Sequence, residues 1–103
     1  MSEEFFNWQM TCDRFAQEGD VRGMRACAAE VRALTAPGAA AEADAMEAEA
    51  ALYGGDAEAA ERFARSAVER DAHHFRGCLA LAGALGAQFK LASELPLLAA
   101  LTH

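Results

Sequence analysis

Phe15-Ala16-Gln17-Glu18-Gly19-Asp20 and Leu52-Tyr53-Gly54-Gly55-Asp56-Ala57 decide how this 103-residue chain folds. Each stretch closes a segment of helical period and opens another of similar length. Glycine enters the left-handed conformation that stops a helix, and the aspartate behind it supplies the oxygen that caps the next one. Gly19 and Gly55 stand 36 positions apart, so the same stop-and-start signal recurs at the period of a helical hairpin.

Working outward from these turns, Phe5, Trp8, Cys12, Phe15 and Ala16 fall three or four apart and mark a first helical face over about 3–17. Met24, Cys27, Ala28, Val31 and Leu34 mark a second over about 21–34, and Thr35-Ala36-Pro37-Gly38 breaks the chain. A third segment covers about 39–53. A fourth runs to about Arg70 with Ala60, Phe63, Ala64, Ala67 and Val68 inward. A fifth spans Phe75 to about Leu85, Gly86 interrupts it, and Ser93 is expected to cap a sixth, with Pro96 in its first turn. The prediction is an all-α fold of three antiparallel helical hairpins, with units at about 3–36, 39–72 and 73–103.

Composition agrees. Hydrophobic residues make up 53 % of the chain. Roughly a quarter of all residues are alanine, far above ordinary usage. Alanine favours helix and buries little area, so the helices must approach closely around a few large wedges. Phe5, Trp8, Phe15, Leu34, Leu52, Tyr53, Phe63, Phe75, Leu81, Phe89 and the terminal leucines are the candidates. The formal charge of −7 disfavours nucleic acid and anionic membranes as partners. The start, Met1-Ser2-Glu3-Glu4, does not resemble a secretory leader, and the three cysteines form no close pair; a cytoplasmic protein is expected.

Trp8, Phe15, Gly19 and Asp20 resemble the tetratricopeptide-repeat pattern: an early aromatic, a second seven residues on, then the Gly-Asp turn. Gly55-Asp56, Ala60, Ala67 and Asp71 are similar to the back half of that motif, in which small residues let paired helices close to their crossing distance. Cys78 and Leu81 stand at the early core positions of a third unit. The sequence departs from the pattern at Met24 and Val31, where small residues are usual, and at Asp44, where an aromatic is usual. The resemblance implies a superhelical stack in a single domain, 1–103, itself a candidate N-terminal part of a longer protein.

In that family the first helix of each pair lines a concave groove. The resemblance places Gln9, Asp13 and Gln17 from unit one on that face, with Glu42, Met46, Glu49, Leu52 and Tyr53 from unit two and Arg76 from unit three. A mildly acidic groove implies a basic or amphipathic protein segment as partner. Asp13 and Glu49 stand where family members that clamp a carboxylate tail carry cations, which disfavours that ligand.

Other chemistry is thin. His73-His74 beside Asp71 reads as a turn, since adjacent residues diverge and no ligand set of metal-binding spacing surrounds them. Cys12, Cys27 and Cys78 read as small inward residues. Glu42, Asp44, Glu47 and Glu49 among alanines read as a solvated face rather than a catalytic acid/base set. Leu95, Leu97, Leu98 and Leu101 lie near the end with almost no charge. The expectation is a self-association surface forming a homodimer, the alternatives being a last helix that folds back to seal the stack and a chain that continues. The functional expectation is a non-enzymatic protein-interaction module without metal or cofactor. The alternatives are an accessory domain of a larger bacterial enzyme, such as a glycosyltransferase, and a small secretion-system chaperone.

Overall fold

The computed structural model describes residues 5–102, with side chains described for 5–89. The chain is all-helical: α1 (Phe6–Gln17), α2 (Val21–Arg32), α3 (Ala39–Tyr53), α4 (Ala57–Arg70) and α5 (Phe75–Thr102). Short connections turn the chain back on itself, and each helix packs against its successor. Beyond these neighbours, α3 also packs against α1 and α5.

The two Gly-Asp turns are the same structure. Gly19 and Gly55 adopt φ of 72° and 81°. The Asp20 amide donates to the Phe15 carbonyl at 2.8 Å, and the Gly19 amide to that of Ala16 at 3.1 Å. Asp56 and Gly55 repeat these bonds to Ala51 and Leu52 at 2.8 and 3.1 Å. The paired bonds satisfy carbonyls that the helix end leaves open. Each aspartate then caps the next helix, accepting from the Gly23 amide at 2.9 Å and the Ala59 amide at 3.0 Å. Gly38, at φ 86°, opens α3.

Two regions of core result. Between α1, α2 and α3, Met24, Met46, Val31 and Cys12 are the largest fully enclosed side chains, with Trp8 and Phe15 packed against them. Between α3, α4 and α5 the contacts are mainly alanine: Ala51, Ala59, Ala60 and Ala84 form one cluster, and Ala48, Ala64 and Ala80 another. Small side chains on facing helices permit the close approach that alanine needs to bury useful area.

The structure corrects several expectations. The break at Gly86 and the separate helix from Ser93 are absent, because α5 runs unbroken from Phe75 to Thr102. Gly86 keeps helical geometry; positive φ occurs only at Gly19, Gly38 and Gly55 among the described residues. Glycine within a helix weakens it by about 1 kcal/mol but does not end it. There are thus five helices among the described residues, and the third hairpin lacks its second member. Tyr53, Phe75, Phe89 and Leu34 are exposed rather than core wedges, and Cys78 is exposed rather than inward. Glu42 and Asp44 are buried, not solvated, because α3 is covered from several sides by its neighbours. The side chains of Leu95, Leu97, Leu98 and Leu101 lie outside the described residues.

Candidate functional site

α1, α3 and α5 line one concave face, a groove of about 940 Å³. Five of the eight large apolar side chains that stand exposed among the described residues border it: Phe6, Met10, Tyr53, Phe75 and Leu79. Phe6 and Met10 are four apart on α1, and Phe75 and Leu79 are four apart on α5, so each pair forms a ridge on its own helix. Leu52 and Tyr53 contribute from the end of α3, and Pro37-Gly38 from its start.

The polar floor is built from the same three helices. The Gln9 amide on α1 donates to Glu42 Oε1 on α3 at 2.7 Å. Glu42 Oε2 lies 2.7 Å from His74 Nε2, and His74 Nδ1 accepts the Gly77 amide of α5 at 3.0 Å. That second bond makes Nε2 the protonated nitrogen of the neutral ring, so His74 donates to Glu42 while capping α5. Burial opposes charge on Glu42, but hydrogen bonds from His74 and Gln9 outweigh it and hold the carboxyl below its ordinary value. The bond to Glu42 raises the His74 pKa above its ordinary value against the effect of burial.

Arg76 completes the floor. Its Nη2 donates to both Asp13 oxygens at 2.7 Å, tying α5 to α1, and its Nη1 reaches Glu49 Oε1 at 3.4 Å. Glu49 is therefore loosely held. Burial pushes its carboxyl up; Arg76 opposes that, and Asp13 and Glu42 add to it. Beneath the floor, burial and then the Glu49 charge push the Cys12 thiol up to about 12, which leaves it an inert core residue.

Of the side chains that sequence assigned to the groove, Gln9, Asp13, Glu42, Glu49, Leu52, Tyr53 and Arg76 line it. Met46 does not: it is fully enclosed between α3 and the first hairpin. Gln17 is exposed at the end of α1 and lies outside the lining. Sequence reading missed His74, Phe6, Met10 and Phe75. The available signal was the spacing Phe6-Met10-Asp13, a second stripe on α1 offset from the core stripe Phe5-Trp8-Cys12. His74, at the position just before α5, carried a capping signal that its neighbour His73 obscured.

On another face, Asp44 of α3 accepts Arg32 Nη2 of α2 at 2.7 Å, and Ser66 Oγ and Arg70 Nε of α4 at 2.7 and 3.0 Å. Burial opposes the Asp44 charge, and these three donors overcome it and lower its pKa. This cluster is fully occupied by its own partners. Among the described residues, no three His, Cys, Asp or Glu side chains converge as a metal set. No helix there is long and apolar enough to cross a membrane. Comparison with protein-family models, with curated proteins and with solved structures returned no significant match.

Proposed function

We propose that the chain is a non-enzymatic protein-interaction module of tetratricopeptide-like build, which holds a segment of a partner protein in the groove of α1, α3 and α5. The carrying observation is the concentration of exposed apolar side chains there: Phe6, Met10, Tyr53, Phe75 and Leu79 surround one concavity on a chain of net charge −7. A patch of that kind in a preformed cleft favours an interface. The tetratricopeptide-like reading draws support from the identical hydrogen-bonded turns at Gly19-Asp20 and Gly55-Asp56. It draws further support from a groove lined by the first, third and fifth helices.

The groove chemistry favours binding over catalysis. In the neutral ring both His74 nitrogens are engaged, by Glu42 and by the Gly77 amide, so neither is left unpartnered toward a bound molecule. Both Glu42 oxygens and both Asp13 oxygens are likewise occupied. Cys12, Cys27 and Cys78 are free thiols, which suits a cytoplasmic setting.

Selection of displayed helical peptides on the full chain tests this reading. The expected result is a set of peptides that bind wild type and lose at least tenfold in affinity against Met10→Asp or Leu79→Asp, a change of about 1.4 kcal/mol. Failure to enrich any binder, or binders indifferent to both substitutions, contradicts it.

A further inference from the structure

Resting on the reading that this groove is a binding surface, we propose that its occupant is an amphipathic helix presenting one basic side chain from within its apolar face, received by Glu49.

Shape supplies the first part. The Phe6-Met10 ridge on α1 and the Phe75-Leu79 ridge on α5 flank the α3 floor, with Tyr53 at one end. A trough between two apolar ridges matches the apolar stripe of a helix, whose anchors recur every three or four residues. The polar floor below it requires that the stripe be interrupted.

Charge supplies the second part. Four carboxylates, Asp13, Glu42, Glu49 and Asp71, line the groove with one permanent cation, Arg76, and Asp71 accepts the His73 amide at 3.0 Å. Asp13 holds that cation with two 2.7 Å bonds, and Glu42 is satisfied by Gln9 and His74. Glu49 is left with a single contact of 3.4 Å among the described residues. Its carboxylate is placed in the groove with capacity to accept, and its neighbours Asp13 and Glu42 add negative potential. A guanidinium or ammonium entering over α3 meets that unmet acceptor; an acidic segment meets repulsion. A second copy of this chain is a poor occupant on the same ground, since each copy carries −7.

The test uses the full chain and a fluorescein-labelled amphipathic helical peptide of about five turns. Three versions differ only at one central position of the apolar face, which is Arg, Gln or Glu. The Arg version is expected to bind roughly tenfold more tightly than the Gln version, the Glu version to bind weakest, and the Arg advantage to shrink as salt rises. In Glu49→Gln the Arg and Gln versions should bind alike. Arg76 keeps its Asp13 bonds in that variant, and circular dichroism checks that the fold is retained.

Equal binding of Arg and Gln versions to wild type overturns the inference, as does an Arg advantage that survives Glu49→Gln. In both cases the groove reading stands if Met10→Ser with Leu79→Ser still abolishes binding; both side chains are more than half exposed, so the double variant leaves the core intact. If no version binds, or if binding survives that double variant, the groove reading falls and the inference with it. A doubled solution mass that the same variant restores to monomer assigns the groove to a second copy and also overturns it.

Discussion

The Asp44 carboxylate on α3 receives Arg32 from α2 and both Ser66 and Arg70 from α4, so one nearly enclosed group joins three helices. Asp44→Asn keeps the size but removes the charge and presents an amide where three donors converge. It should lower stability by about 2 kcal/mol in urea denaturation, the cost of a charge-assisted buried network losing its acceptor. Gly23 makes a different demand. A Cβ there would lie 2.4 to 2.7 Å from the Phe15 ring, so α1 and α2 are close because that position has no side chain. Gly23→Ala should destabilise by about 1–2 kcal/mol despite the helix propensity of alanine, since overpacking outweighs the gain.

His74 gives the protein a pH dependence of known sign. Two effects compete: protonation strengthens the bond to Glu42, and it removes the Nδ1 lone pair that accepts the Gly77 amide. A charge-assisted hydrogen bond contributes about 1.5–3 kcal/mol against about 1 for a neutral cap, so Glu42 wins and the folded pKa is raised. The contribution of His74 to stability is therefore full below its ordinary pKa of 6.5 and is lost as pH rises through the folded value. Denaturation midpoints measured across that window should fall toward alkaline pH in wild type. In His74→Asn, which keeps a capping acceptor and cannot titrate, that fall should vanish.

At the scale of elements, the turns and the long helix make opposite predictions for the same substitution. Gly55→Ala forces a Cβ into φ of 81° and should cost about 1 kcal/mol. Gly86 is helical, and a methyl group added there would meet nothing within 4 Å, so Gly86→Ala should stabilise by about 0.5–1 kcal/mol. Thermal midpoints of the two variants should move in opposite directions; a loss at Gly86 would point to a break in α5. These elements also show where sequence reading succeeds. The Gly-Asp turns are legible because capping is local chemistry, its bonds contained between Phe15 and Gly23 and between Ala51 and Ala59. The end of the fifth helix is not, because an isolated glycine signals a stop only when its φ turns positive, and the sequence around Gly86 does not state its φ.

Across the whole molecule, what sequence conceals is the position of α3. Helical periodicity separates one inward face from one outward face, and α3 has no such division, being packed on by its neighbours from several directions. By spacing alone Glu42 and Asp44 thus read as solvated, and the family resemblance places Met46 on the groove face although it is fully enclosed. The groove is legible in part, because assigning the first helix of each pair to one face picks out Gln9, Asp13, Glu49 and Arg76. Its wiring is not. Gln9 meets Glu42 across 33 positions, and Asp13 meets Arg76 across 63, separations that no local spacing encodes.

The central claim is that the concave face of α1, α3 and α5 is where a partner helix binds. Residue-resolved amide hydrogen exchange, with and without the Arg-bearing peptide, tests it most directly. Slowed exchange concentrated in α1, α3 and the first turns of α5, with the outer faces of α2 and α4 unchanged, is the predicted result. Protection confined to α2 and α4, or spread evenly over all five helices, would contradict it.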